Sequence, residues 1–284
     1  MSVAVVATAH DFRRACQEAR GDGELALVPT MGFLHAGHQS LIQAAAQRAP
    51  TVAVTIFVNP TQFGPGEDLS RYPRDLEGDL RKCEEAGGTF VFVPRGPEEI
   101  YPAGFQTSVE PGPLAAPLCG ERRPGHFRGV CTVVAKLFAL SRADCAFFGE
   151  KDYQQLAVIR RMNADLNLGV EVIGRPIVRE RDGLAMSSRN AYLSREERAR
   201  ATALWKGLKA ARDAFTAGEV QAERLEELAR QKLVEDGLRI DYAEVRDSVE
   251  LRRPQKADAT SRLFLAAFLG KTRLIDNGAV GESG

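Results

Sequence analysis

The sequence predicts an α/β protein, a parallel sheet wrapped by helices, followed by a smaller α+β domain. Three observations predict it. Short apolar runs alternate with helix-compatible stretches over the first part of the chain, as in a sheet whose strands are covered on both faces. The pattern changes after Arg175-Pro176, where long helices come first and short strands follow. The 284 residues exceed a typical single domain, so a division into 1–177 and 178–284 fits the length.

Element by element, the runs 25–29, 52–58, 90–93, 145–148 and 170–173 are the expected strands. Between them, 39–48, 76–86, 130–141 and 153–168 carry helical spacing. In the third of these, Val130, Val133, Val134, Leu137 and Leu140 share one face. Beyond the boundary, Ser194 and Glu197 form a capping box, and one long helix is expected from there to about Ala217, ended by Gly218. A second helix spans 222–236, and strands follow at 240–246, 263–268 and 273–276, with 280–284 as a loose tail.

Composition narrows the function. Lys plus Arg and Asp plus Glu both number 38, so bulk attraction to nucleic acid or anionic membrane is not expected. Local positive charge gathers at Arg122 and Arg123, with His126 and Arg128 close behind, a cluster of a size to hold a small anion. The five cysteines are odd in number and widely spaced, which fits a reducing compartment rather than a disulfide framework or a zinc site. No apolar run approaches the roughly 20 residues that span a bilayer, and the N-terminus lacks a signal pattern, so a cytoplasmic protein is expected.

The strongest local signal is Pro29-Thr30-Met31-Gly32-Phe33-Leu34-His35-Ala36-Gly37-His38, which follows a strand and opens a helix. An α/β sheet binds ligands at that place, and a helix N-terminus presents free N–H groups and partial positive charge to phosphate. Gly32 and Gly37 let the backbone approach a ligand, and His35 and His38 leave the same turn. Two imidazoles there can donate hydrogen bonds to charge developing on phosphorus. The competing readings are a zinc site, which needs further ligands, and two helix-capping histidines of no further use.

A second signal, Gly149-Glu150-Lys151-Asp152, again sits where a strand leads into a helix, and its lysine can neutralise phosphate oxygens. The alternative is a surface loop of ordinary composition. Gln154 and Gln155 follow, and one of them facing a pocket could fix hydroxyl or carboxylate groups. A third, Met186-Ser187-Ser188-Arg189-Asn190, offers two hydroxyls and a guanidinium suited to a triphosphate, and could equally be a polar interdomain linker. Its position also makes it a candidate lid. Asn59 and Gln62, at the end of the run 52–58, should face the crevice of the histidine turn. The stretch 119–128 reads as a mobile, positively charged cover or as a solvated loop.

The histidine turn and the Met186-Ser187-Ser188-Arg189 loop resemble the two signature segments of the nucleotidylyltransferase and class I aminoacyl-tRNA synthetase superfamily, with a Rossmann-like domain and an HxGH-type nucleotide site. Joined by Ile56 to Phe63, Tyr72-Pro73-Arg74, Arg123 to Phe127, Gly149 to Gln155 and Asp182 to Asn190, they resemble the pantothenate synthetase family, from about Pro29 to Asn277. That resemblance implies ATP-dependent condensation of pantoate with β-alanine through a pantoyl-adenylate, with Mg2+, in a homodimer that binds neither nucleic acid nor membrane. It implies ATP contacts from Met31, Gly32, Phe33, Leu34, His35, Ala36, Gly37, His38, Gly149, Glu150, Lys151, Asp152, Val178, Met186, Ser187, Ser188 and Arg189. His38 corresponds to the family's proton donor, with His35, Lys151 and Arg189 completing the catalytic charge. Gln62 would touch pantoate and β-alanine, Gln155 pantoate, and Asn59 lies among the substrate contacts; residues 178–284 would act as a lid. No metal ligand is assigned: Asp79 is a candidate by position, while Asp75, Glu77 and Asp79 also read as a solvated helix face.

Three rivals compete. Another adenylyl-transferring enzyme of this fold would keep the histidine turn without needing Gln62 and Gln155. A tRNA-binding module is disfavoured by the neutral charge. A nucleotide sensor without catalysis is disfavoured by Lys151, both histidines and Arg189 occurring together.

Overall fold

The computed structural model describes residues 3–282. Two compact units divide the chain. The first runs to Glu150 and resumes at Gln154–Pro176; the second holds Lys151–Tyr153 and everything from Ile177 onward.

The first unit is a six-stranded, wholly parallel sheet of β1 (Ala4–Val6), β2 (Leu25–Thr30), β3 (Thr51–Ile56), β4 (Phe90–Phe92), β5 (Cys145–Gly149) and β6 (Glu171–Arg175), in the order β1-β4-β3-β2-β5-β6. From β2 the chain steps to β3 and β4, then crosses back to lay β5 on the other side of β2. The order therefore reverses between β2 and β5, which makes that gap the switch point. There the ladder is short: only Ala26 and Leu27 pair with β5, opposite Cys145 and Ala146, whereas all six residues of β2 pair with β3. Past Leu27 the two strands no longer pair, and the carboxyl ends of strands at such a switch point are where open α/β sheets bind ligands.

Helices α1 (Ala9–Arg20), α2 (Ala36–Arg48), α3 (Leu76–Glu85), the single turn α4 (Cys119–Arg122), α5 (His126–Ser141) and α6 (Tyr153–Asp165), the last from Gln154 onward, complete this unit. Strand β1 and helix α1 lie outside the elements expected from sequence. A three-residue edge strand offers little periodicity, and α1 is fixed from afar, its Phe12 stacking on Phe92 of β4 at 4.4 Å. Burying such a ring contributes about 1.5–3 kcal/mol.

The second unit has a three-stranded antiparallel sheet, β7 (Arg239–Arg246), β8 (Arg262–Leu269) and β9 (Thr272–Ala279). Leu204, Leu208, Leu225 and Leu233, from helices α8 (Ala203–Thr216) and α9 (Ala222–Glu235), share one core with Val245, Leu263 and Leu265 of the strands. The expected long helix after Ser194 is two helices. The capping box forms, but α7 (Arg195–Arg200) ends at a turn where Thr202 Oγ1 donates to the Ala199 carbonyl and Leu204 N–H reaches back to Ala201. The expected loose tail is also corrected at its start, since Val280 is buried and its N–H donates to Ser261, while Glu282 pairs with Arg212. Residues 283–284 lie outside the described residues. Among the described residues no helix is long and apolar enough to cross a membrane.

Candidate active site

The histidine turn leaves β2 at the switch point. Gly32 sits at φ +81 and Phe33 at φ +50, two successive left-handed residues that swing the chain from strand to helix. A Cβ on Gly32 would come within 2.9 Å of Ile56 Cγ2 and 3.0 Å of Asp79 Oδ2, so space as well as dihedral angle requires glycine here.

His35 is then the N-cap of α2. Its Nδ1 accepts from Gly37 N–H at 3.2 Å, while His38 Nδ1 accepts from His35 N–H at 3.3 Å. The His-x-Gly-His spacing is thus the spacing of a reciprocal helix cap. A nitrogen that accepts from N–H carries no proton, so both neutral imidazoles hold theirs on Nε2. The rings lie 4.1 Å apart, tilted by 39°. Capping, one of the alternatives in the sequence, is what both rings do here: the two caps fix the rings, with Nε2 the protonated nitrogen of each.

Asp79 is where the structure departs most from expectation. It does not belong to a solvated face with Asp75 and Glu77: Asp75 caps α3, accepting from Gly78 N–H, and Asp79 is 1% exposed. Its Oδ2 accepts from Phe33 N–H at 2.7 Å and its Oδ1 from Leu34 N–H at 2.6 Å. Burial pushes its carboxyl above the ordinary value, against the pull of the Leu34 and Phe33 N–H groups. Among the described residues no group of three or more His, Cys, Asp or Glu side chains clusters as a metal site. Asp79 is turned to the backbone, and Mg2+ is commonly carried by nucleotide phosphates and water.

From β3, Phe57 N–H donates to Thr30 O at 3.0 Å, and a short 3-10 turn, Pro60–Gln62, follows. Asn59 caps it and is fully engaged. Its Oδ1 accepts from Thr61 and from the Tyr101 hydroxyl, at 2.8 Å for the latter, and its Nδ2 donates to Gly129 O and to Gln62 Oε1 at 3.0 Å. Gln62 in turn points its Nε2 at Met31 Sδ, 3.3 Å away, so β2 and β3 bring Met31, Asn59 and Gln62 together. Gly129 on α5 permits this, since a Cβ there would stand 2.4 Å from Thr61 O. Of the two glutamines on α6, Gln154 is buried and accepts from Cys119 N–H while donating to Pro117 O, and Gln155 is half-buried.

The basic cluster expected at Arg122, Arg123, His126 and Arg128 does not assemble as an anion pocket. Arg123 makes a two-pronged pair with Glu67, at 2.8 and 2.7 Å, and donates to Gln62 O. Burial raises the Glu67 carboxyl, but the bonds and charge of Arg123 outweigh it and hold the group below its ordinary value. His126 Nδ1 lies 2.8 Å from Gln62 O, which can only accept, so that imidazole carries its proton on Nδ1. Arg128 reaches Ser108 and Glu110 on its own side.

In the second unit, Lys151 lies in the turn after β5, its side chain largely buried and 3.9 Å from Asp152. Asn277 of β9 donates to the Lys151 carbonyl at 2.8 Å and accepts from Arg262 at 2.6 Å. Arg262 also stacks on Tyr153, 4.0 Å from the ring centre, and the Tyr153 hydroxyl donates to Ser248 O. The Arg189 loop is the far end of a small hairpin. Met186 N–H donates to Val178 O, Arg179 bridges Ala185, and Ser187 caps the turn Ser188–Tyr192 by accepting from Arg189 N–H. Arg179 clamps this hairpin through a two-pronged pair with Asp276, at 2.6 and 2.9 Å, a bond to Gly183 O, and a stack on Trp205 at 4.2 Å. Arg198 adds pairs to Glu180 and Asp182.

A parallel sheet with a switch point in its strand order, and a histidine-bearing helix start at that point, is the arrangement of doubly wound α/β proteins, which commonly take phosphate-bearing ligands. The family described as Pantoate-beta-alanine ligase matches residues 4–279. A pantothenate synthetase of Myxococcus xanthus is 56% identical over 99% of this chain and 97% of its own, and one of Geobacter sulfurreducens is 52% identical over 98% and 99%. The crystal structure of pantothenate synthetase from Thermus thermophilus superposes with a TM-score of 0.93 at 45% identity, covering 98% of this chain and 99% of that one. Pantoate-beta-alanine ligase from Francisella tularensis, complexed with beta-gamma ATP and beta-alanine, gives 0.82 at 31% identity, covering 99% of each chain. The chain belongs to the pantoate–β-alanine ligase family of enzymes.

Proposed function

We propose that this protein joins pantoate to β-alanine at the expense of ATP, in two steps. Pantoate's carboxylate attacks the α-phosphorus, forming pantoyl-adenylate and releasing pyrophosphate. The amine of β-alanine then attacks the acyl carbon, the C–O bond to AMP breaks, and pantothenate and AMP leave with the amine's spare proton lost to solvent.

The observation that carries this reading is the reciprocal cap, which leaves the Nε2–H donors of His35 and His38 beside the helix N-terminus at the switch point. The first step has a ready nucleophile and requires stabilisation of charge on the phosphate rather than a strong base. His38 and His35 supply donors; Lys151 and Arg189 supply fixed positive charge, with Met31, Gly32, Phe33, Leu34, Ala36, Gly37, Gly149, Glu150, Asp152, Val178, Met186, Ser187 and Ser188 lining the nucleotide. Gln62 and Gln155 orient pantoate, Gln62 also meets β-alanine, and Asn59 acts beneath Gln62, where its amide is spent. Mg2+ bound to the triphosphate would offset its charge. The roles given to residues 178–284, the lid among them, together with the homodimer and the cytoplasmic location, rest on family likeness.

The test is pyrophosphate release from ATP and Mg2+, with and without pantoate, followed by β-alanine. Pantoate-dependent pyrophosphate and amine-dependent pantothenate with AMP are expected. Pyrophosphate release indifferent to pantoate would overturn the substrate assignment.

A further inference from the structure

We propose that Asp79, braced by Lys82, is a positioning residue for the reaction: its buried carboxylate holds the backbone of the histidine turn and thereby aims His35 and His38. This inference rests on the reading that the turn handles ATP. Three observations carry it.

First, both oxygens of one side chain accept from consecutive N–H groups, those of Phe33 and Leu34, at 2.7 and 2.6 Å. One carboxylate accepting from two successive peptide units fixes their orientation relative to each other, not only their place. Second, one turn along α3, Lys82 Nζ donates to Leu34 O at 2.7 Å, so the helix grips both sides of the residue that immediately precedes His35. Third, the gripped segment is the strained one, with Phe33 at φ +50 directly after Gly32. Left-handed geometry at a phenylalanine persists only where its surroundings impose it. Asp79 touches neither imidazole in these contacts; it acts through the backbone that sets the cap.

Asp79→Asn keeps the shape but offers one acceptor where two stood, and turns an N–H2 toward an N–H. A displacement of an ångström at a reacting group costs on the order of a hundredfold. The variant should lose about ten- to a hundredfold in kcat of pantoate-dependent ATP–pyrophosphate exchange, with the KM for pantoate nearly unchanged and the protein folded but of lower melting temperature. A spectroscopic readout separates positioning from bulk stability. The chain has four histidines, and ring-nitrogen NMR reports the tautomer of each. In the parent protein His35 and His38 should be Nε2–H and His126 Nδ1–H. Asp79→Asn should scramble the first two and leave His126, an internal control, as it was.

Lys82→Met, which keeps the stem and loses the bond to Leu34, should shift kcat and tautomers the same way by less, and serves if Asp79→Asn fails to fold. Unchanged tautomers with unchanged kcat in the folded variants would overturn the proposal. Asp79→Asn at full kcat beside a crippled His38→Gln would overturn it while leaving the role of the turn standing. A fully active His38→Gln would remove the reading beneath it, and the proposal with it.

Discussion

The histidine turn and the Arg189 loop are both short segments between secondary structures, yet they are held by opposite means. The first is fixed by backbone groups: two N–H bonds to Asp79, two imidazole caps, and a peptide frame continuous with the central sheet. The second is fixed by long cationic side chains, Arg179 on Asp276 and Trp205, and Arg198 on Glu180 and Asp182. A backbone cradle sets the direction of a ring closely and is indifferent to salt. Guanidinium clamps secure the position of a loop, and they transmit the loss of a single charge to everything they hold.

That contrast can be pressed experimentally. The largest effect should come from the groups we propose act on substrate: His38→Ala or Lys151→Ala should leave folding intact and reduce pantoate-dependent pyrophosphate exchange about a hundredfold or more, the scale of a lost preorganised donor. Near-normal turnover in either would dissolve the role given to that residue. Next, Arg179→Met strands Asp276, whose side chain is 1% exposed, without its partner. Unpairing a buried charge costs about 3–5 kcal/mol, which urea unfolding followed at Trp205, the protein's one tryptophan, should register. A loss under about 1 kcal/mol would mean the clamp behaves as a surface pair. Smaller again, Asn277→Ala removes both the bond to the Lys151 carbonyl and the acceptor of Arg262 and should lower kcat about fivefold, on the scale of about 1 kcal/mol for a lost hydrogen bond. An unchanged kcat would show that Arg262 and Tyr153 suffice to hold the segment.

The smallest expected effect is none. Burial pushes the thiols of Cys16, Cys83 and Cys131 up to about 12 and that of Cys145 to about 11. All five cysteines are buried and all belong to the sheet-bearing unit. Iodoacetamide at pH 8 should therefore label none of them in the native protein and all of them after denaturation. Native labelling at the same pH would show that this unit opens, and that its backbone cradle is softer than its contacts imply.

Local chemistry was legible in the sequence where cause and consequence lie close together. The His35–His38 spacing, the strand before it, and the Ser194–Glu197 box are read from neighbours in the chain. What eluded reading is set by residues far apart. Asp79 serves Leu34 across 45 positions, Glu67 absorbs the charge of Arg123 across 56, and Gly129 matters because Thr61 passes within a Cβ radius of it. Periodicity places an acid on a helix but does not say which backbone it will meet. The same limit hid β1 and α1, whose support is Phe92.

The assignment of Lys151–Tyr153 to the second unit has a consequence for how the gene product can be dissected. The chain passes from one unit to the other after Glu150, after Tyr153 and after Pro176. No single cut yields both pieces whole. A fragment ending at Pro176 takes with it the tripeptide that Asn277, Arg262 and Ser248 hold, and its complement keeps three sets of vacated bonds. Split expression or domain grafting at that apparent seam should fail for a reason of threading rather than of stability.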